Sequence, residues 1–294
     1  MKVISRWFVI LFLGLWGQTA VAAVSIDSMN YPVWIERGSQ IEALAPGDGL
    51  REGDVVQTGD RGRAWLQVDD GSVIKLGEQT RFVVKRAEFK EESQETVLDA
   101  GFDILKGAFR FTSQFFRPLR TARHRVDFTI GAVTAGVRGT DIWGRSADDE
   151  DFVALIEGSI EVSSAGDAPR LIDEPLTLYR KAKNLPADAP QSVPLDAVLA
   201  LAPETELNPE AGIASTTGQY QVVMMSLKSA ELVEKSLARF RAAGYAATTQ
   251  TATVNGDTFT RILLPGLVDR DAAMKLGERM KQEFELQGSW ISKI

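Results

Sequence analysis

The chain has 294 residues, 44% of them hydrophobic and 25% charged, which describes an ordinary globular protein of about two domains rather than a disordered or fibrous one. A formal charge of −7 argues against general binding to nucleic acid. With no Cys and one His, disulfides, Cys-linked lipid, thiolate catalysis and His-clustered metals are excluded, and neither a cofactor nor a metal is expected.

Lys2 and Arg6 precede an apolar run from Trp7 to Trp16, and Thr19-Ala20-Val21-Ala22-Ala23 then offers small residues spaced for signal-peptidase cleavage. Residues 1–23 therefore read as a signal peptide, and an exported chain without disulfides suits a bacterial periplasm. Uncut, Trp7 to Val24 is about long enough to span a bilayer and would anchor the protein to the membrane.

Residues 24–180 read as short strands between Gly and Asp turns, an all-β domain of sandwich or solenoid-like form. Asp70-Gly71 predicts a hairpin between Trp65–Val68 and Val73–Leu76, and Glu157-Gly158 predicts a second one between Phe152–Ile156 and Ile160–Val162. In Val137-Arg138-Gly139-Thr140, an Arg between small residues suits an anion. The favoured reading there is structural, with Gly136 and Gly139 giving tight backbone and Arg138 tying strands through carbonyls or a buried carboxylate.

Between Lys106 and Arg125 basic and aromatic residues interleave, and Arg110, Arg117, Arg120 and Arg123 form a possible anion-binding surface. The competing reading is a solvated face whose Phe residues are core. His124 has no clear carboxylate partner for a triad, and residues 131–136 lack the Lys and Ser/Thr of a phosphate-binding loop. The carboxylates of Asp69-Asp70 and Asp148–Asp151 sit in turns and read as solvated rather than as a glycosidase pair, so no enzyme is expected.

From 181 to 216 the composition shifts to Pro, Ala and Glu. This predicts a semi-stiff linker, with a short helical turn at Leu195 to Leu201, that holds two domains apart.

Residues 217–294 give the order strand, helix, strand, strand, helix, strand. Tyr220–Ser226 is an apolar strand, Ser229 caps a helix carrying Val233, Leu237 and Phe240, and Gly244 stops it. Asn255-Gly256 turns a hairpin between Ala246–Val254 and Thr258–Leu264, and Pro265-Gly266 breaks the chain. Asp269 caps a second helix, and Gly288 releases a last strand, Trp290–Ile294. Helices on one sheet face leave the other open. There Phe259, Arg261 and Leu263 alternate with Thr260, Ile262 and Leu264, which suit the helices. A ring beside a guanidinium fits a flat glycan; the plainer alternative is a shielding Phe and a solvated Arg.

Two family resemblances follow. LREGDVVQTGDRGRAWLQVDDGS at 50–72, AGVRGTDIW at 135–143 and IEGSIEV at 156–162 resemble the FecR domain, with Ile142 where that family has Phe. That resemblance implies either a periplasmic signal transducer or a secreted protein carrying cell-wall modules. YQVVMMSL at 220–227, AAGYAA at 242–247, FTRILLPGLVDRDAA at 259–273 and QGSWISKI at 287–294 resemble the SPOR family of peptidoglycan-binding domains. The family's glycan-facing positions fall on Ser226, Phe259, Arg261 and Ile291, and its first-strand Gln falls on Val223. Its Gly-Ser becomes Met225-Ser226, and its Gly-Pro is inverted as Pro265-Gly266. An RNA-recognition module shares this sheet, but the chain lacks that module's aromatic-rich strand, and export removes RNA as a ligand.

These resemblances imply a non-enzymatic periplasmic protein that binds peptidoglycan glycan strands, stripped of stem peptides, while the FecR-like domain takes an envelope or division protein or a wall component. The alternatives are a membrane-anchored FecR-type envelope sensor and a wall hydrolase.

Overall fold

The computed structural model describes residues 23–92, 95–113 and 122–294, so the expected leader lies outside them apart from Ala23. The N-terminal strands are β1 (Val24–Asn30), β2 (Val33–Arg37), β3 (Gln40–Ala43), β4 (Gly49–Leu50), β5 (Val55–Thr58), β6 (Arg63–Val68) and β7 (Val73–Leu76). They continue with β8 (Arg81–Glu92), β9 (Glu95–Thr112), β10 (Ala122–Ile130), β11 (Val133–Ser146), β12 (Glu150–Ser164), β13 (Arg170–Ile172) and β14 (Thr177–Ala182).

Side chains on these strands alternate buried and half-buried, as in Arg63–Val68 and Val73–Leu76, so each sheet has a core face and a wet face. Two sheets enclose one core. The first runs β1, β6, β7, the second half of β9, then β11, β12 and β14. The second runs β3, β2, β5, β8, the first half of β9, then a parallel β10, then β11, β12 and β13. Strands β9, β11 and β12 are long enough to serve both sheets, and each carries a glycine of positive φ: Gly107, Gly139 and Gly158. A Cβ on Gly158 would lie 2.2 Å from the carbonyl oxygen of Gly139, so the kink in β12 fits only as glycine. Between the sheets, Phe128 packs on Phe102, Phe109 and Phe111 at centroid distances of 4.9–5.3 Å.

Asp70-Gly71 does turn a hairpin, with Asp70 accepting from the Ser72 amide at 2.8 Å. Glu157-Gly158 does not: β12 runs unbroken through it, because positive φ at Gly158 redirects the strand instead of reversing it. The Arg138 side chain is exposed rather than tying strands, and it makes no hydrogen bond or ion pair with the described residues. Asp151 is fully buried rather than solvated, held by Lys183 at 2.5 Å, the Ser146 hydroxyl at 2.7 Å and the Ala132 amide at 2.9 Å.

The Pro-rich segment is packed against the protein and does not act as a spacer. Gln191–Ser192 (β15) pairs with β14, two short helices follow at Leu195–Leu199 (α1) and Ala202–Thr205 (α2), and Ala214–Ser215 (β16) bridges β1 to the C-terminal sheet. Buried Asn30 fastens this end, donating to the carbonyls of Asn208 and Gly212 and accepting from the Asn208 amide.

The C-terminal sheet has the order β20 (Trp290–Lys293), β17 (Tyr220–Leu227), β19 (Asp257–Leu267), β18 (Thr248–Val254), all antiparallel. Helices α3 (Ala230–Ala242) and α4 (Arg270–Phe284) cover one face. The Ser229 hydroxyl and the Asp269 carboxylate accept from the Leu232 and Ala272 amides, as N-caps should. Glu285, in left-handed conformation, ends α4 ahead of Gly288. Pro265-Gly266 does not break β19: it lies beyond the last β18 pair at Leu263 and in a bulge of the β17 ladder, between the Leu264–Val222 and Leu267–Tyr220 pairs, where an imino residue is tolerated.

The two domains touch directly. Tyr31 stacks on Tyr245 at 5.7 Å, the Trp34 indole donates to the Ala242 carbonyl, and the Val33 amide donates to Gly244.

Candidate functional site

The helix-free face of the C-terminal sheet gathers the expected residues. Ile262 and Leu264 are fully buried toward the helices, so Arg261 and Phe259 point the other way. Ser226 pairs with Arg261, and Arg261 pairs with Gln250, forming one row across β17, β19 and β18. The next row is Trp290, Val223, Leu263 and Thr248. Val223 and Ser226 are three apart and would normally face opposite ways. A bulge between Val223 and Met225 puts both on the open face.

The Arg261 guanidinium lies 5.5 Å from the Trp290 ring centroid, and its Nε is buried without a partner. Lys228 Nζ stands 5.0 Å from the Phe259 ring and pairs with Asp257 at 2.8 Å. Ser226 is exposed, and Trp290 is 41% exposed. The face thus offers two ring surfaces flanked by cations and a hydroxyl, which is chemistry for the apolar faces and acyl oxygens of a sugar polymer.

Two expected residues do not fit. Val223 is 0% exposed and forms floor rather than contact surface. Ile291 packs on the core, near Gly277 of α4, and so lies on the helix side. Its neighbour Trp290 takes the open face, a residue that the sequence pattern missed because the register of β20 decides which of the two turns outward. Gln221 reaches the same face but is satisfied, donating to the Ser292 hydroxyl at 3.0 Å. Past the end of β20, Met224, Met225, Leu227, Phe240 and Trp290 line a groove of about 440 Å³ along β17.

The basic surface proposed around Arg110 is differently arranged. Arg110 makes a two-pronged bond to Asp141 at 2.9 and 2.7 Å, and that carboxylate raises the guanidinium pKa further above its ordinary value. Its charge is therefore neutralised within the protein. Arg117 and Arg120, and the side chains of Arg123 and His124, lie outside the described residues. Among the described residues no helix is long and apolar enough to cross a membrane.

No curated protein matches the chain. Two crystal structures of a candidate anti-sigma factor from Parabacteroides distasonis ATCC 8503 resemble it loosely, each at 11% identity. One has a TM-score of 0.35 and covers 69% of this chain and 96% of that one; the other has 0.38, 79% and 91%. Family models resolve the matter by domain: residues 54–161 match the FecR protein family and residues 216–291 match the SPOR domain, so the chain carries a FecR domain followed by a SPOR domain, families of envelope binding and signalling proteins.

Proposed function

We propose that this is a non-enzymatic periplasmic protein that binds peptidoglycan glycan strands, preferentially those stripped of stem peptides, through Ser226, Phe259, Arg261 and Trp290. The observation that carries the reading is Arg261, stacked on Trp290 with a buried, unpartnered Nε, beside exposed Ser226 on a face that no helix covers. The SPOR match supports the ligand class, and the leader-like residues 1–23 support export.

The test is pelleting of the full chain with purified sacculi before and after amidase treatment. Removal of stem peptides should raise binding. Phe259→Ala with Arg261→Ala should lower it at least tenfold, which is about 1.4 kcal/mol. Unchanged pelleting on both counts sinks the assignment.

The FecR match favours one second reading, a membrane-anchored regulator that relays an envelope signal. Mass spectrometry separates the two: retained Met1 in the mature protein supports the anchor, and an N-terminus near Ala23 or Val24 supports the released form.

A further inference from the structure

The segment around α1 and α2, between the two matched domains, lies as a strap across the wet face of the first sheet. On that face Trp65, Lys75, Arg110 and Trp143 form a cross-strand row in which two rings flank two cations. Beside it, Gly77 and Ala108 join by a backbone hydrogen bond to floor a trough, with Arg63 and Arg145 at its sides.

The strap fills this trough with acidic side chains and its own backbone. Glu206 pairs with Lys75 at 2.6 Å and approaches Arg110 at 3.9 Å, and Glu204 reaches Arg145 at 3.4 Å. Two further donors read main chain: Trp65 Nε1 bonds the Thr205 carbonyl at 3.1 Å, and Arg63 Nε bonds that of Glu204 at 3.3 Å. Leu201 packs on the Trp143–Phe152 cluster.

The fit is incomplete. Arg63 Nη1, Trp143 Nε1 and Arg145 Nε are buried on this face without partners, and Trp143 is only 1% exposed. Buried orphan donors are costly, and a better-matched occupant would satisfy them. The strap itself is weakly built: α1 and α2 have five and four residues, neither has a side-chain N-cap, and Leu195 and Leu199 are exposed.

We infer that this trough is a docking site for an acidic polypeptide segment of Glu-x-Glu type from a partner protein, and that the strap occupies it as a displaceable internal competitor. Peptide is favoured over glycan because two of the donors recognise backbone carbonyls at peptide spacing. The strap is tied at both ends, by β15 on β14 and by Asn30 on Asn208, so its local concentration is high and a free segment competes poorly until the strap is loosened. This site is independent of the open face of the SPOR domain.

The probe is a fluorescein-labelled peptide with the sequence of residues 199–208, titrated by anisotropy into the full chain at low salt. Glu204→Gln with Glu206→Gln loosens the strap by removing its ion pairs without altering shape. This chain should bind the peptide at least tenfold tighter than the parent chain, and hydrogen exchange over 195–207 should speed up. A probe with Gln at both Glu positions should lose at least tenfold, as should a loosened chain that also carries Lys75→Ala and Arg145→Ala. Gly77→Ala added to the loosened chain is a blocking variant that leaves charge unchanged: its Cβ would lie 2.7 Å from the Glu204 carbonyl oxygen and clash with the docked peptide as with the strap, so binding should again fall at least tenfold. Equal binding by parent and loosened chains, equal binding of the Gln probe, or displacement of the peptide by soluble glycan strands each overturns the inference.

Discussion

A guanidinium laid on an indole keeps its outer edge free for hydrogen bonds while the ring fixes its position, and Arg261 on Trp290 is held in this way. If both residues contact the ligand, Trp290→Ala should weaken sacculus binding about as much as Arg261→Ala, by tenfold or more. Ile291→Ala makes the opposite prediction. Its side chain packs toward α4, so binding should persist while thermal stability falls by about 1–2 kcal/mol, near the low end for a truncated aliphatic because the site is only partly buried. Loss of binding by a fully folded Ile291→Ala protein would return that residue to the ligand face. Phe259 and Arg261 were legible because strand alternation is local. Trp290 was not, because adjacent residues exchange faces with a one-residue change of register, and only pairing with Val223 sets that register.

Strands that serve two sheets place their strain at single residues. Gly158→Ala should cost at least about 2 kcal/mol, since left-handed backbone alone costs about 1–2 and its Cβ also meets the Gly139 carbonyl. Gly38→Ala is the control, with positive φ but open space around it, and should cost about 1 kcal/mol. Denaturant melts giving equal losses would refute the kink argument. The same contrast explains which elements could be read in advance. Ser229, Asp269, Asp70-Gly71 and Asn255-Gly256 act on amides within three residues, so sequence exposes them. A Gly in a β-rich run signals positive φ but not whether the chain reverses or bends, which depends on distant partners. The strap was opaque for the same reason, because its Glu206 answers to Lys75, 131 residues away.

At the scale of the whole molecule, the domain contact makes stability depend on pH in a known direction. Burial raises the pKa of Tyr31 and of Tyr245, and Tyr31, at 1% exposure, stands at the interface itself. An unfolded tyrosine ionises near pH 10, whereas these two stay neutral in the folded protein to higher pH. Their contribution is therefore complete below about pH 10 and is lost as pH rises from there toward the folded values, at up to about 1.4 kcal/mol per pH unit for each group. Thermal melts at pH 8, 10 and 11 should show one cooperative transition that falls steeply only above pH 10. Tyr31→Phe removes one ionisable group while keeping the ring stacked on Tyr245, so its decline above pH 10 should be measurably shallower. If the parent and Tyr31→Phe decline in parallel, water reaches the Tyr31 hydroxyl and the two domains part before either unfolds. That outcome would return the molecule to two bodies on a tether, the arrangement its Pro-rich segment suggested.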